Sequence, residues 1–217
     1  MYRRLREPVN GLTHMAAAIA AAVGLVILIY IARDNLIKLV SLSIYGFSLA
    51  LMFSASTAYH IVDAGPRIML LLRKLDHSSI YLLIAGTYTP ICLHYFTGTW
   101  RWAPLALIWS LAVIGIVIKL FIIKAPRWVT AGVYLLMGWL AIGAGRQVLA
   151  SIPTGVLVLL LVGGLFFTWG AVIYILKKPD PVPGVFGFHE VWHIFVILGA
   201  FSHFMIMLAF IAPSGAG

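Results

Sequence analysis

Residues 186 to 203 read FGFHEVWHIFVILGAFSH and place two histidines within a run of mostly apolar side chains. His189 and His193 are four positions apart, so a helix would stack their imidazoles on one face. Ionisable side chains are costly inside a membrane-length apolar segment, and they usually mark an ion site, a proton path or a catalytic centre. The stretch therefore predicts both a membrane span and a functional site within it.

The composition of the whole chain agrees with a membrane protein. Of 217 residues, 63% are hydrophobic and only 10% are charged, and the mean hydropathy of +1.06 excludes an ordinary soluble domain. A helical span needs about 20 mostly apolar residues. Seven such runs predict an all-α, seven-transmembrane-helix bundle in a single domain, residues 1–217, with spans at 12–32, 38–61, 75–96, 102–122, 128–149, 154–176 and 187–211.

The distribution of basic residues predicts how the bundle is oriented. The net charge of +9 could indicate nucleic acid as a partner, but the lysines and arginines lie in short loops between apolar runs, so no nucleic-acid partner is expected. Lysine and arginine are retained on the cytoplasmic side of a membrane. One side holds only Arg33, Lys38, Arg101 and Arg146, and the other holds Arg3, Arg4, Arg6, Arg67, Arg73, Lys74, Lys119, Lys124, Arg127, Lys177 and Lys178. We therefore predict a cytoplasmic N-terminus and an external C-terminus.

With this orientation, ionisable residues from three helices reach the same membrane depth. His60 lies at the cytoplasmic end of the second span, Asp76 begins the third, and His189 and His193 begin the seventh. Three histidine ligands leave a fourth position open for water, which is the pattern of a catalytic zinc site. Imidazole also accepts other transition metals, but tetrahedral histidine coordination without thiolates favours zinc. We predict a zinc ion bound by His60, His189 and His193.

Two polar residues are candidates for catalysis beside this ion. Asp76 can orient the metal's water or accept its proton. Ser56, one helical turn from His60, can donate a hydrogen bond to that water or to a developing oxyanion. Each residue also has a purely structural explanation, because a buried histidine can bond a neighbouring carbonyl and serine is common at contacts between membrane helices.

The start of the first helix supplies a further polar face. Glu7, Asn10 and His14 follow the spacing i, i+3 and i+7 near the cytoplasmic surface. They either cap the helix and form hydrogen bonds at the membrane interface, or they support the metal ligands. His94 and His203 are expected toward the outer half and are not assigned to the site.

The segment from His189 to His193 also satisfies the zinc-protease pattern H-E-x-x-H, with Glu190 as the general base. That chemistry requires a third ligand and a cleft for a peptide, which seven helices with short loops do not supply. Glu190 can instead compensate the helix dipole at the start of the span. An intramembrane zinc protease is therefore the third functional hypothesis.

Several of these blocks together resemble the haemolysin III family, the bacterial branch of the progestin and adipoQ receptor superfamily, and the resemblance covers nearly the whole chain. The matching positions are Glu7, Asn10, Thr13 and His14, the segment Ser56 to His60, the segment Lys74 to Tyr81, the segment Ala85 to Pro90, and the segment His189 to His193.

The resemblance implies seven helices in the bacterial inner membrane and a zinc ion on His60, His189 and His193, with Asp76 contacting the ion through water. It also implies a relationship to alkaline ceramidases, which hydrolyse lipid amides at a zinc buried in the membrane. The family name refers instead to haemolysis through pore formation. Three hypotheses follow: a zinc-dependent hydrolase of a lipid amide or ester at the inner leaflet, a cytolytic pore or membrane-property sensor with structural zinc, and the protease. A membrane lipid is the expected substrate or ligand, and no protein partner is implied.

Overall fold

Seven helical rods make up the chain in the computed structural model, which describes residues 5–213. Two of its helices, Arg127–Trp139 and Gly145–Ser151, are joined by a 3₁₀ segment, Leu140–Ala144, and form one rod. β structure within the described residues is limited to a single bridge between Val182 and Phe186. The helices are α1 (Pro8–Ala32), α2 (Leu36–Ile61), α3 (Pro66–Tyr95), α4 (Gly98–Phe121), α5 (Arg127–Trp139), α6 (Gly145–Ser151), α7 (Thr154–Leu176) and α8 (Phe188–Ile206).

Six of the rods are long and apolar enough to cross a membrane, and their lipid-facing surface is correspondingly hydrophobic. They are α1, α2, α4, the rod Arg127–Ser151, α7, and α8 with its final π-helical turn to Ile211. Large apolar side chains such as Phe121 (82% exposed) cover their outer faces. The predicted all-α membrane fold is thereby confirmed. The orientation of the termini remains a prediction, and Arg3 and Arg4, on which it partly depends, lie outside the described residues.

Two predicted spans differ from the structure by more than a few residues or are interrupted in it. The third helix begins at Pro66 rather than at residue 75, because proline is accepted in a first helical turn and the polar segment after it continues the helix. This helix is the longest, with 30 residues, but its basic first turns make it less apolar than the other six rods. The predicted span 128–149 is interrupted by the 3₁₀ segment. The Tyr88 hydroxyl lies 3.0 Å from the carbonyl oxygen of Gly138 and accepts the Ala141 N–H at 3.1 Å, so this hydroxyl partners the interrupted backbone.

Long-range contacts bring seven helix termini to one end of the bundle, which we call the basic end. It contains the starts of α1, α3, α5 and α8 and the ends of α2, α4 and α7. The contacts that establish it are Glu7 N–H to the His60 carbonyl (3.0 Å), Tyr134 hydroxyl to the His77 carbonyl (2.9 Å), Lys119 Nζ to Thr130 Oγ1 (3.0 Å), and the Arg127 guanidinium over the rings of Tyr174 and Phe188 (5.0 Å each).

Close approach of α1 to α2 at the basic end depends on a glycine. A Cβ atom at Gly11 would lie 2.3 Å from Cγ1 of Ile61, which is far inside van der Waals contact. Small residues allow membrane helices to approach closely in this way. The contact holds the polar start of α1 against the last turn of α2, where His60 lies.

Candidate metal centre

Three histidines converge at the basic end. His60 comes from the last turn of α2, and His189 and His193 come from the first two turns of α8. One ring nitrogen from each histidine lies within 4.8 Å of the others, which is close enough for one ion to reach all three. His60 and His193 are almost fully buried. The sequence-predicted ligand set is therefore brought together by two helices that are distant in the chain.

The hydrogen bonding of these rings fits a metal ligand set. Nε2 of His189 and Nδ1 of His193 are buried without a hydrogen-bond partner. A buried polar atom without a partner is costly and rare in native proteins. Coordination of an ion would satisfy unpartnered imidazole nitrogens of this kind. The donor set of three imidazoles without a thiolate is suitable for zinc, although the geometry alone does not select among transition metals.

Glu7 orients the third ring, that of His60. Its Oε2 lies 2.5 Å from Nδ1 of His60, which leaves Nε2 of that ring for an ion. A carboxylate on the second nitrogen orients a metal-binding histidine and fixes its tautomer. The hydrogen bond to His60 lowers the pKa of Glu7 to about 2, with further help from the charge of Arg6, although partial burial acts in the opposite direction. Glu7 is therefore ionised at neutral pH.

Asn10 connects this carboxylate to the start of α8. Its Nδ2 donates to Oε1 of Glu190 at 2.8 Å and lies 3.4 Å from Oε2 of Glu7. The other oxygen of Glu190 accepts the Gly187 N–H at 2.8 Å, so Glu190 caps α8. The carboxylate of the H-E-x-x-H pattern is thus used to fix the helix that carries His189 and His193, as its position at the helix start had suggested.

His14 lies against the histidine group and also binds Ser56. Its ring stacks on that of His193 with centroids 3.7 Å apart, and its Nδ1 lies 2.8 Å from the Ser56 hydroxyl. Ser56 also lies close to the Asp76 carboxylate. The pairing of His14 with Ser56 was missed in the sequence, because the spacing of residues along one helix carries no information about a partner on another helix.

A cavity of about 990 Å³ begins beside this group and runs toward the opposite end of the bundle. His14, Ser56, Asp76 and His77 form its polar end, and its walls are otherwise mostly apolar as far as Trp100. Asp76 is not a member of the converging histidine set, but it lines the cavity. Any molecule in the cavity would therefore meet Asp76 and Ser56 next to the histidines.

Tyr174 is a neighbour of the site that the sequence did not indicate. Its ring centroid lies 5.8 Å from that of His189 and 4.6 Å from that of Trp192, and the side chain lines the cavity. A single tyrosine near the end of an apolar helix has no distinguishing spacing. His203, by contrast, lies along the cavity and outside the histidine group, as expected.

Comparison with known proteins gives the relationship of the whole chain. The family model described as Haemolysin-III related matches residues 2–204. Hemolysin-3 of Bacillus cereus is 36% identical over 214 residues, covering 97% of this chain and 94% of the relative. Human monocyte to macrophage differentiation factor is 28% identical over 203 residues, covering 90% and 80%. A Drosophila melanogaster adiponectin receptor protein is 31% identical over 179 residues, which is 73% of this chain but 38% of the relative. The chain is thus a multi-pass membrane protein that belongs to the haemolysin III family.

Proposed function

We propose that the protein is a zinc-dependent hydrolase that cleaves an amide or ester bond of a membrane lipid. The observation that carries the proposal is that the histidine group lies next to the residues that form the polar end of a large, mostly apolar cavity. Ligand sites are typically concave and apolar with a few placed polar groups, and this cavity has that character. Its size and lining suit the hydrocarbon part of a lipid, with the cleavable bond beside Asp76.

The residues at the polar end have distinct roles in this proposal. A zinc ion, when bound by the three histidines, supplies a Lewis acid and an activated water. The Asp76 carboxylate would accept a proton from the water that attacks the amide or ester bond. Ser56, held by His14, donates a hydrogen bond to the carbonyl oxygen as negative charge develops there. The apolar walls exclude bulk water and strengthen these polar interactions.

The test is a metal analysis joined to a screen of lipid amides and esters, with the purified full chain in detergent. We expect zinc and hydrolysis in the wild type, and loss of both in His60→Ala. Asp76→Asn should keep the metal and lose about 10² to 10⁴-fold in kcat, because general-base catalysis contributes about that much. Asp63→Asn, which changes an exposed carboxylate between α2 and α3, is the matched control and should behave as the wild type. Zinc-loaded protein that cleaves none of the lipids, or equal turnover in Asp76→Asn, would contradict the proposal.

The name of the Bacillus cereus relative, Hemolysin-3, favours a second candidate: a membrane-lytic protein in which zinc only joins α2 to α8. Leakage of a dye from vesicles separates the two. Leakage that persists in Asp76→Asn and requires no lipid cleavage would support the lytic role. The protease is less favoured than either, because both oxygens of Glu190 already accept structural hydrogen bonds.

A further inference from the structure

Three cationic side chains near the polar end of the cavity lack an acidic partner. Arg73 lies in the second turn of α3, Lys119 near the end of α4, and Arg127 at the start of α5. Among residues 5–213, ion pairs are formed by Arg6, Arg33 and His60, and none by these three. A positive cluster without counter-charge at the edge of a cavity indicates that an anion is bound there.

Lys119 is the most deeply buried of the three. Lys119 is only 3% exposed, and its Nζ donates a hydrogen bond to the Thr130 hydroxyl at 3.0 Å. An ammonium group has three donors, so a single neutral hydroxyl leaves a buried charge poorly compensated. Thr130 itself lines the cavity, which places the ammonium directly behind the cavity wall.

Arg127 is held in position by aromatic rings and has a hydrogen-bond donor without a partner. Its guanidinium carbon lies 5.0 Å from the ring centroids of both Tyr174 and Phe188, so two aromatic rings hold the group. One terminal nitrogen is buried and has no hydrogen-bond partner. A stacked guanidinium with a free N–H edge is well suited to a phosphate or carboxylate oxygen.

Arg73 is the third cation, and it lies on α3 one helical turn before Asp76, which lines the cavity. It is close enough for its charge to act on Lys119, on Tyr174 and on Asp76. Asp76 is the one carboxylate that lines the cavity within the described chain, and the charge of Arg73 acts on it. The three cations outnumber this carboxylate, so its ionisation does not cancel their charge.

We propose that Arg73, Lys119 and Arg127, which we call the cation group, bind the phosphate of an anionic lipid whose acyl chain enters the cavity. Two guanidinium groups and an ammonium match the several oxygens of a phosphate better than the two of a carboxylate. Trp128, next to Arg127 and 67% exposed, is typical of the membrane–water interface, where lipid phosphates lie. The inference concerns binding and is independent of hydrolysis, although in the proposed enzyme it would define the head group of the substrate.

Native mass spectrometry of the purified full chain can test this inference. His60→Ala serves as the background, so that turnover does not consume the lipid. The chain is titrated with phosphatidic acid, phosphatidylcholine and diacylglycerol of identical acyl chains. We expect phosphatidic acid to bind at least about tenfold more tightly than diacylglycerol. Arg127→Gln and Lys119→Met should each remove about tenfold of this preference, whereas Lys124→Gln, an exposed lysine in the adjoining loop, should leave it unchanged.

Other outcomes would overturn the proposal. The first is an unchanged preference for phosphatidic acid in the Arg127→Gln and Lys119→Met double variant. The second is an equal loss of that preference in Lys124→Gln. The third is displacement of the lipid by inorganic phosphate at the lipid's own concentration, which would indicate a site for a soluble anion. If Lys119→Met fails to fold, Arg73→Gln takes its place in the test. The Arg73 side chain forms no hydrogen bond within the described residues, so its replacement should not disturb the fold. Arg127→Lys should retain part of the preference, since it keeps the charge but loses the stacked, forked geometry.

Discussion

Histidines along α8 and its neighbours differ most in what surrounds them. At the basic end, His60, His189 and His193 converge within 4.8 Å, and a carboxylate lies on the outer nitrogen of one ring. Farther along α8, His203 is partly buried with an unpartnered Nε2, but it packs against Phe167 and Gly163 and belongs to no such group in the described chain.

The difference shows which features distinguish a candidate metal centre in an apolar bundle. Burial and an unsatisfied nitrogen occur at both ends, so neither is diagnostic alone. Convergence of three nitrogens and a carboxylate that orients one of them occur only at the basic end among residues 5–213. Known metal sites combine converging ligands with outer residues that orient those ligands.

Removing one histidine from each end gives the largest expected contrast. His189→Ala should reduce zinc affinity by more than about 100-fold, because a direct ligand matters at least as much as its supporting residues. His203→Ala should leave the affinity unchanged. The measurement is competition for zinc with a chelator, together with the shift in unfolding temperature on adding metal, since saturation at 1,000 times Kd stabilises the wild type by about 4 kcal/mol. Equal losses in the two variants would show that the histidine group is not the metal centre.

Much of this centre is predictable because it depends on periodicity and on helix direction. The four-residue spacing of His189 and His193 and the alternation of basic loops bring them to the depth of His60 and Asp76. The partner of each side chain is not predictable in the same way. It depends on how neighbouring helices rotate about their axes, which is decided by packing such as that of Gly11 on Ile61. The His14 contact with Ser56 and the Asn10 contact with Glu190 are of this second kind.

The interruption of the fifth rod is a further feature that the sequence does not predict. Apolar residues from 128 to 149 predict one continuous helix, and the sequence alone does not indicate where the α-helix gives way to a 3₁₀ segment. The structure shows that the Tyr88 hydroxyl, on a different helix, forms hydrogen bonds with the backbone at the interruption. A local pattern cannot reveal a hydrogen bond supplied from 50 residues away.

A second prediction separates the two glutamates at the basic end. Glu7→Gln keeps the size of the side chain but removes the charge that orients His60, so zinc affinity should fall about 10 to 100-fold. Glu190→Gln can still accept at the start of α8 and should change the affinity less than Glu7→Gln does. The chelator competition distinguishes them. A larger loss in Glu190→Gln would mean that the H-E-x-x-H carboxylate, and not Glu7, supports the metal.

The smallest expected effect concerns the packing of His203. A Cβ atom at Gly163 would lie 2.5 Å from Cδ2 and Nε2 of His203 and 3.1 Å from the Gly199 carbonyl oxygen. Overpacking of this kind costs about 1–3 kcal/mol, and the better helix propensity of alanine offsets about 1 kcal/mol of that cost. Gly163→Ala should therefore lower the free energy of unfolding by about 1 kcal/mol in mixed-micelle denaturation, without changing zinc affinity. Combining it with His203→Ala removes the ring that the new methyl group meets, so the double variant should lose less stability than the two single losses together. Strictly additive losses would show that the Gly163 contact does not position His203, and a change in zinc affinity would show that the two ends of the bundle are coupled.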